Sequence, residues 1–233
     1  MSKKETFVKP SGNAGTFRIL AVLLWILGLA CEVVGILTLL GKIEPFFDYV
    51  TFIIVALVLD AVFVLIGSYL WRRANRIDPP SEKNKVEFFI KMQLGAIVSV
   101  IAFLPILIFL LSDKKLDKKA KTWVSILAAV LLLLVTGLSA DWNPISLEDL
   151  EQMQVNAEES DFGSGNVKWS VNSKVYHTWE ECGALHRIFD NNLREGTVKD
   201  AFEAGKARMC KYCAAHFNIV DGVEDGGLPA TTD

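Results

Sequence analysis

Four residues near the C-terminus of this 233-residue chain carry its clearest chemistry. Four residues separate His177 from Cys182, and two separate Cys210 from Cys213. Imidazole nitrogen and thiolate sulfur are the donors a tetrahedral zinc ion takes, and a two-residue Cys–Cys spacing suits a knuckle whose backbone amides stabilise the thiolates. The twenty-seven residues between the pairs allow a helix and a return. Three of the four cysteines and all three histidines fall within the forty residues from His177 to His216. Three thiols leave one over in any disulfide scheme, whereas three thiols and one imidazole complete a Cys3His set. The expectation is a structural zinc on His177, Cys182, Cys210 and Cys213, with His186 and His216 as substitutes for His177. Four protein ligands leave no open position, so metal catalysis is not expected. No nucleophile–base pair, P-loop or dinucleotide fingerprint is seen elsewhere, and we read no enzyme here.

The elements that must position these donors are short. Val167, Trp169 and Val171 alternate with polar residues, Asn172-Ser173 marks a turn, and Val175 to His177 continues as a second strand, which predicts a hairpin. Thr197 with Asp200 resembles a capping box opening a helix that Gly205 closes. Cys210 to Cys213 then leads into a last helical turn. About fifty residues with few large apolar side chains rarely build a core unaided, and a metal supplies the missing stabilisation.

The first 140 residues are of another kind. Hydrophobic residues make up 52% of the chain, its mean hydropathy is +0.34, and the excess is concentrated here. Ile19–Leu40, Val50–Leu70, Leu94–Leu111 and Trp123–Ala140 are apolar runs of 18 to 22 residues. As helices each crosses about 30 Å of hydrocarbon. A soluble single-core domain and an outer-membrane barrel are thereby excluded. The predicted fold is an all-α bundle of four transmembrane helices followed by a small α+β zinc-stabilised domain. Its segments are a basic N-terminus at 1–18, the bundle at 19–140, an acidic linker at 141–166, the cysteine–histidine module at 167–218 and an acidic tail at 219–233. Residues 141–162 hold seven acids and no Lys or Arg, and read as a solvated spacer with a flexible joint at Phe162–Asn166.

The first run has the charge order of a signal but is too long for a cleaved one, and reads as an anchor. Lys and Arg near the helix ends number ten on the N-terminal side and six on the other. That bias favours a multi-pass plasma-membrane protein, of the bacterial inner-membrane kind, with N-terminus and module in the cytoplasm. If Leu94–Leu111 bent at Pro105 and returned, the module would lie outside. Glu32 lies eight residues before Leu40 and Asp60 eight after Phe52, where the second run is under way, so on adjacent helices both fall about 12 Å from the same membrane surface. Such a pair serves as hydrogen-bonding glue or as a proton or ion relay.

The pattern Lys174-Val-Tyr-His177-x4-Cys182, then Gly196-Thr-Val-x2-Ala-x3-Gly-Lys206, then Cys210-Lys-x-Cys213 resembles the small metal-binding domain of Ada-type DNA repair proteins. The resemblance covers about Val167–Phe217. Residues 88–165, with the Asp113–Lys121 loop and the Ala140–Pro144 exit, are similar to a group of small bacterial membrane proteins with this tail. The resemblance implies a metal-stabilised module. It does not imply methyl transfer from DNA, because His177 stands where that family has its nucleophilic cysteine. Besides the bilayer, the module is expected to bind a protein partner, and self-association of the chain is a further option. Lys199, Lys206, Arg208 and Lys211 form the alternative, a nucleic-acid patch, although residues 163–218 carry a net charge of only +2.

Overall fold

The computed structural model describes residues 13–113 and 115–217, so the proposed tail at 219–233 and most of the basic N-terminus lie outside the described residues. The chain divides into two compact units, residues 1–148 and 149–233.

The first unit is built from α1 (Ala14–Leu39), α2 (Tyr49–Ile77), α3 (Lys85–Ser112) and α4 (Lys118–Ser139), each long and apolar enough to cross a membrane. Side-chain caps set three of the starts. Asp48 accepts from the Thr51 amide, Asn84 from Glu87 and Asp117 from Ala120, each satisfying a donor that the first turn leaves open. The helices therefore run past the apolar stretches into polar flanks. α3 continues through Pro105 as one helix of 28 residues, which corrects the bent, returning alternative; it is long and apolar enough to cross a membrane. Pro105 removes one backbone bond, and the packing of Phe103, Ile106 and Leu110, each at most 1% exposed, keeps the helix going.

Each helix buries one stripe. In α1 it is Ala21, Trp25, Gly28, Glu32, Gly35 and Leu39, three or four residues apart, as a 3.6-residue period requires. The outward faces are as apolar as the inner ones, with Ile19, Leu133 and Trp123 more than half exposed. Four helix ends meet at one pole. There Arg18 bonds Asp78, the Trp71 indole donates to the Lys91 carbonyl, and Arg72 donates to Leu138 and Ala140 at the end of α4.

The second unit begins with most of α5 (Leu147–Asn156), then β1 (Asn166–Ser170), β2 (Val175–His177), β3 (Leu193–Thr197), α6 (Val198–Glu203), β4 (Arg208–Met209) and α7 (Lys211–His216). Its sheet has the order β3-β1-β2-β4, antiparallel except for the parallel pair β2–β4. The hairpin forms with Lys168 opposite His177, and Thr197–Asp200 forms a full capping box for α6. Gly205 ends that helix at φ +79°, a left-handed conformation that glycine adopts without a Cβ clash. The core is Val167, Tyr176, Val198, Ala201 and Phe202, all at most 4% exposed.

Residues 141–166 differ from a solvated spacer. Leu150, Met153 and Ala157 are fully buried, Asn156 bonds the Tyr176 hydroxyl, and the Asp161 amide donates to the Thr178 carbonyl. Acidic composition hid the apolar stripe at 150, 153 and 157. The glycine joint is a pair of fixed turns, with Gly163 at φ +97° and Gly165 at φ +78°, the second donating to the Ala157 carbonyl.

Candidate metal centre

The sheet brings the two ligand pairs together. Parallel pairing sets Tyr176 opposite Met209, so the next residues, His177 at the end of β2 and Cys210 just after β4, come side by side. The Cys210 amide donates to the Tyr176 carbonyl at 2.8 Å and locks that register. Cys182 follows a turn after β2, and Cys213 lies in α7, whose N-cap is Cys210.

His177, Cys182, Cys210 and Cys213 are all buried, and their donor atoms lie within 4.8 Å of one another. His177 presents Nδ1, 3.5 Å from Cys182 Sγ and 3.7 Å from Cys213 Sγ; Cys182 Sγ and Cys210 Sγ are 3.9 Å apart. A tetrahedral site with zinc-like bonds of about 2.3 Å to sulfur and about 2.0 Å to nitrogen has edges of about 3.8 Å between sulfurs and about 3.5 Å from nitrogen to sulfur. These three contacts match those edges, and the remaining three lie within 4.8 Å. They are far longer than a disulfide bond of about 2.05 Å. The four residues could hold a metal ion.

The surroundings suit thiolates bound to a cation. The backbone of Thr178 and Trp179 hydrogen-bonds Cys213, and that of Tyr212 and Cys213 hydrogen-bonds Cys210. Amide donors at sulfur favour its charged form. Burial acts in the opposite direction, pushing the Cys213 thiol up to about 12 and raising Cys210 as well. Burial also holds His177 below the ordinary imidazole value, so its nitrogen is unprotonated near neutral pH and free to coordinate. A divalent cation resolves the conflict between buried sulfur and its amide donors by supplying the charge that water cannot.

The other candidates stand apart. His186 is exposed, and His216 stacks flat on Trp179 with ring centroids 4.1 Å apart. Cys31 lies in α1, in the first unit. Of the basic residues, Arg208 and Lys211 are exposed and Lys199 pairs with Glu203. Lys206 is turned inside, 6% exposed, its ammonium donating to the Val171 and Ser173 carbonyls. It clasps the β1–β2 turn, a role that a count of lysines does not reveal. The Thr178 and Trp179 amides were also invisible in sequence, because any residue carries an N–H.

No protein-family model matches this chain, and no curated protein or solved structure does. The Ada-type resemblance therefore remains one of motif layout, and the metal reading rests on the geometry above.

Proposed function

We propose that this chain is a multi-pass membrane protein whose second unit folds around one structural zinc ion and is displayed at the membrane surface to bind a protein partner. The observation that carries the zinc is the buried Nδ1–Sγ constellation with tetrahedral edges. Three thiolates and a neutral imidazole are soft and borderline donors that favour zinc over magnesium or calcium. Closure by four protein ligands leaves no site for substrate on the metal, so its role is to hold the fold.

Membrane insertion is supported by four helices that are apolar on every side. A water-facing bundle would not carry Ile19, Leu133 and Trp123 outward along its length. Four crossings return the chain to the side on which it began, and the Lys and Arg bias favours the cytoplasm for that side. Display of a binding surface is supported by Phe189, 80% exposed, and Tyr212, 52% exposed. Aromatic side chains left in water are the usual anchors of protein interfaces. With Lys206 committed to two carbonyls, the basic patch is reduced, and we favour a protein over a nucleic acid.

Elemental analysis of the purified full-length protein in detergent tests the centre of this reading. One zinc per chain is expected, lost in Cys182→Ser and Cys213→Ser but retained in His186→Ala and His216→Ala. Metal-free protein, or zinc that survives both cysteine substitutions, would overturn it. A photo-cross-linker at position 189 tests the partner: capture of one protein in cells, abolished by Tyr212→Ala, supports the surface.

A further inference from the structure

Glu32 and Asp60 are the two acids that the four apolar helices carry into their interior, and they are buried, 5% and 1% exposed. Gly28, one turn before Glu32, forms the seat for Asp60. A Cβ at Gly28 would stand 2.7 Å from Asp60 Oδ1 and 3.2 Å from Val64 Cγ2, so only glycine admits the carboxyl there. Both Asp60 oxygens and Glu32 Oε1 lack any hydrogen-bond partner. The carboxyls interact electrostatically across the α1–α2 contact without bonding each other.

No Lys, Arg or His occurs in α1 after Arg18, in α2 before Arg72, in α3 between Lys91 and its end, or in α4 after Lys121. The remaining titratable neighbour is Cys31, coupled to Asp60 from α1 itself. α3 brings the Ile106 backbone to the Glu32 carboxyl, and neither α3 nor α4 offers a charged side chain at this level.

The surroundings of the pair are asymmetric. Toward the pole where α2 ends, all four helices contribute to one layer of small and polar groups. The Trp25 ring rests on Gly67, and Ser68 meets Gly95 beside the Ser139 carbonyl. Trp25 Nε1, Ser68 Oγ and Ser139 Oγ are buried without partners, and Ser99 bonds Thr136 nearby. Buried, unpaired donors and hydroxyls of this kind are sites for ordered water. Ser68 lies about 12 Å along α2 from Asp60, a gap spanned by few waters. Toward the other pole, Ile53, Leu57, Ile106 and Leu110 close the interior at no more than 1% exposure. Ser125 of α4 is the one unpaired hydroxyl on that side among the described residues.

We propose that Glu32 and Asp60 form a proton-exchange site that takes up and releases one proton through the Trp25–Ser68–Ser139 layer, from the face bearing the α2–α3 loop. A carboxylate at this depth needs a counter-charge, and no basic side chain supplies one. A hard metal cation needs about six oxygen ligands, and the helices, apart from the one bond that Pro105 removes, keep their carbonyls paired. A proton needs only the carboxyl oxygen that carries it.

The inference rests on the helices crossing a bilayer, so the test uses full-length protein in phospholipid vesicles shown to resist alkaline carbonate extraction. Dicyclohexylcarbodiimide modifies protonated carboxyls and partitions into lipid. A wholly apolar groove of about 270 Å³, lined by Leu27, Cys31, Phe52, Val55 and Leu59, gives it an approach at this level. Peptide mapping is expected to find the adduct on Asp60 or Glu32 near pH 7, where ordinary carboxyls with pKa values of about 4 do not react. Labelling should fall as pH rises, and should follow the pH on the side where protease cuts the Lys83–Lys85 loop. In Glu32→Gln the adduct should fall on Asp60 alone, read by the same peptide mapping. Three outcomes would overturn the proposal. They are no adduct at either residue between about pH 6 and 9, a midpoint in the ordinary carboxyl range of about 4, or suppression by sodium at fixed pH, which would assign the pair to a metal cation. The wild-type measurement stands even where a substitution fails to fold.

Discussion

The two units meet opposite shortages. The first has more apolar surface than four helices can bury against one another, so its outer faces stay apolar and its few polar groups are forced inside. The second has a small apolar core around Tyr176 and Phe202, and its best-buried polar cluster is the cysteine–histidine set. In the first unit a buried pair of acids leaves both Asp60 oxygens and Glu32 Oε1 without a hydrogen bond. In the second, backbone amides bond the sulfurs and the four clustered donors could hold a metal ion. The lesson is that buried polarity has a different meaning in each half: an unsatisfied pair among helices invites protons and water, whereas a satisfied set of donors around a small volume invites a metal.

The sharpest way to break this comparison is to take away the metal proposed for the cluster. Cys213→Ser, or chelation of the wild type, should unfold the second unit while the first stays helical. Structural zinc contributes roughly 10 kcal/mol to folding in small domains. Protease cleavage confined to residues 149–217, read by mass spectrometry, checks it. If the second unit resists protease after chelation, its core suffices and the contrast fails.

Phe202→Ala asks how much that core adds. Truncating a fully buried phenylalanine costs about 3–5 kcal/mol, so thermal protection of the second unit should fall with zinc still bound. A smaller, opposite kind of change tests the first unit. Gly28→Ala inserts a methyl against Asp60 and Val64, and overpacking costs about 1–3 kcal/mol. Gly137→Ala, which meets nothing within 4 Å, is its control and should leave thermal stability in detergent unchanged.

Thr197→Ala removes the cap of α6 and should cost about 1 kcal/mol. Its effect depends on pH in a defined sense. Bonds from the Thr197 side chain and amide hold the Asp200 carboxyl below its usual value. That contribution is present above the unfolded carboxyl value of about 4 and is lost as pH falls through the lower folded value. The difference between wild type and Thr197→Ala should therefore shrink in acid, measured by urea unfolding of the second unit at pH 7 and near pH 3.

Much of this was legible in the chain itself. Long apolar runs fix the helices by composition, because an 18-residue stretch without charge has few other stable states. The Cys and His spacings, the capping box and the turn at Asn172-Ser173 are local signals, and local chemistry decides them. The third strand was not legible, since Leu193-Arg-Glu-Gly-Thr197 has no alternation and forms only by pairing with β1. Nor was the apolar stripe of α5, masked by its acids.

The amino-acid order settles which atoms are available: four donors of a metal-ligating kind, two acids within apolar runs and the helices that carry them. Tertiary structure alone decided which of those atoms meet. Parallel pairing of β2 with β4 puts His177 beside Cys210 across more than thirty residues and leaves His186 and His216 outside the cluster. Packing of α1 on α2 seats Asp60 on Gly28. The physical reason is that spacing constrains only neighbours along the chain, whereas coordination and charge coupling act over a few ångströms in space.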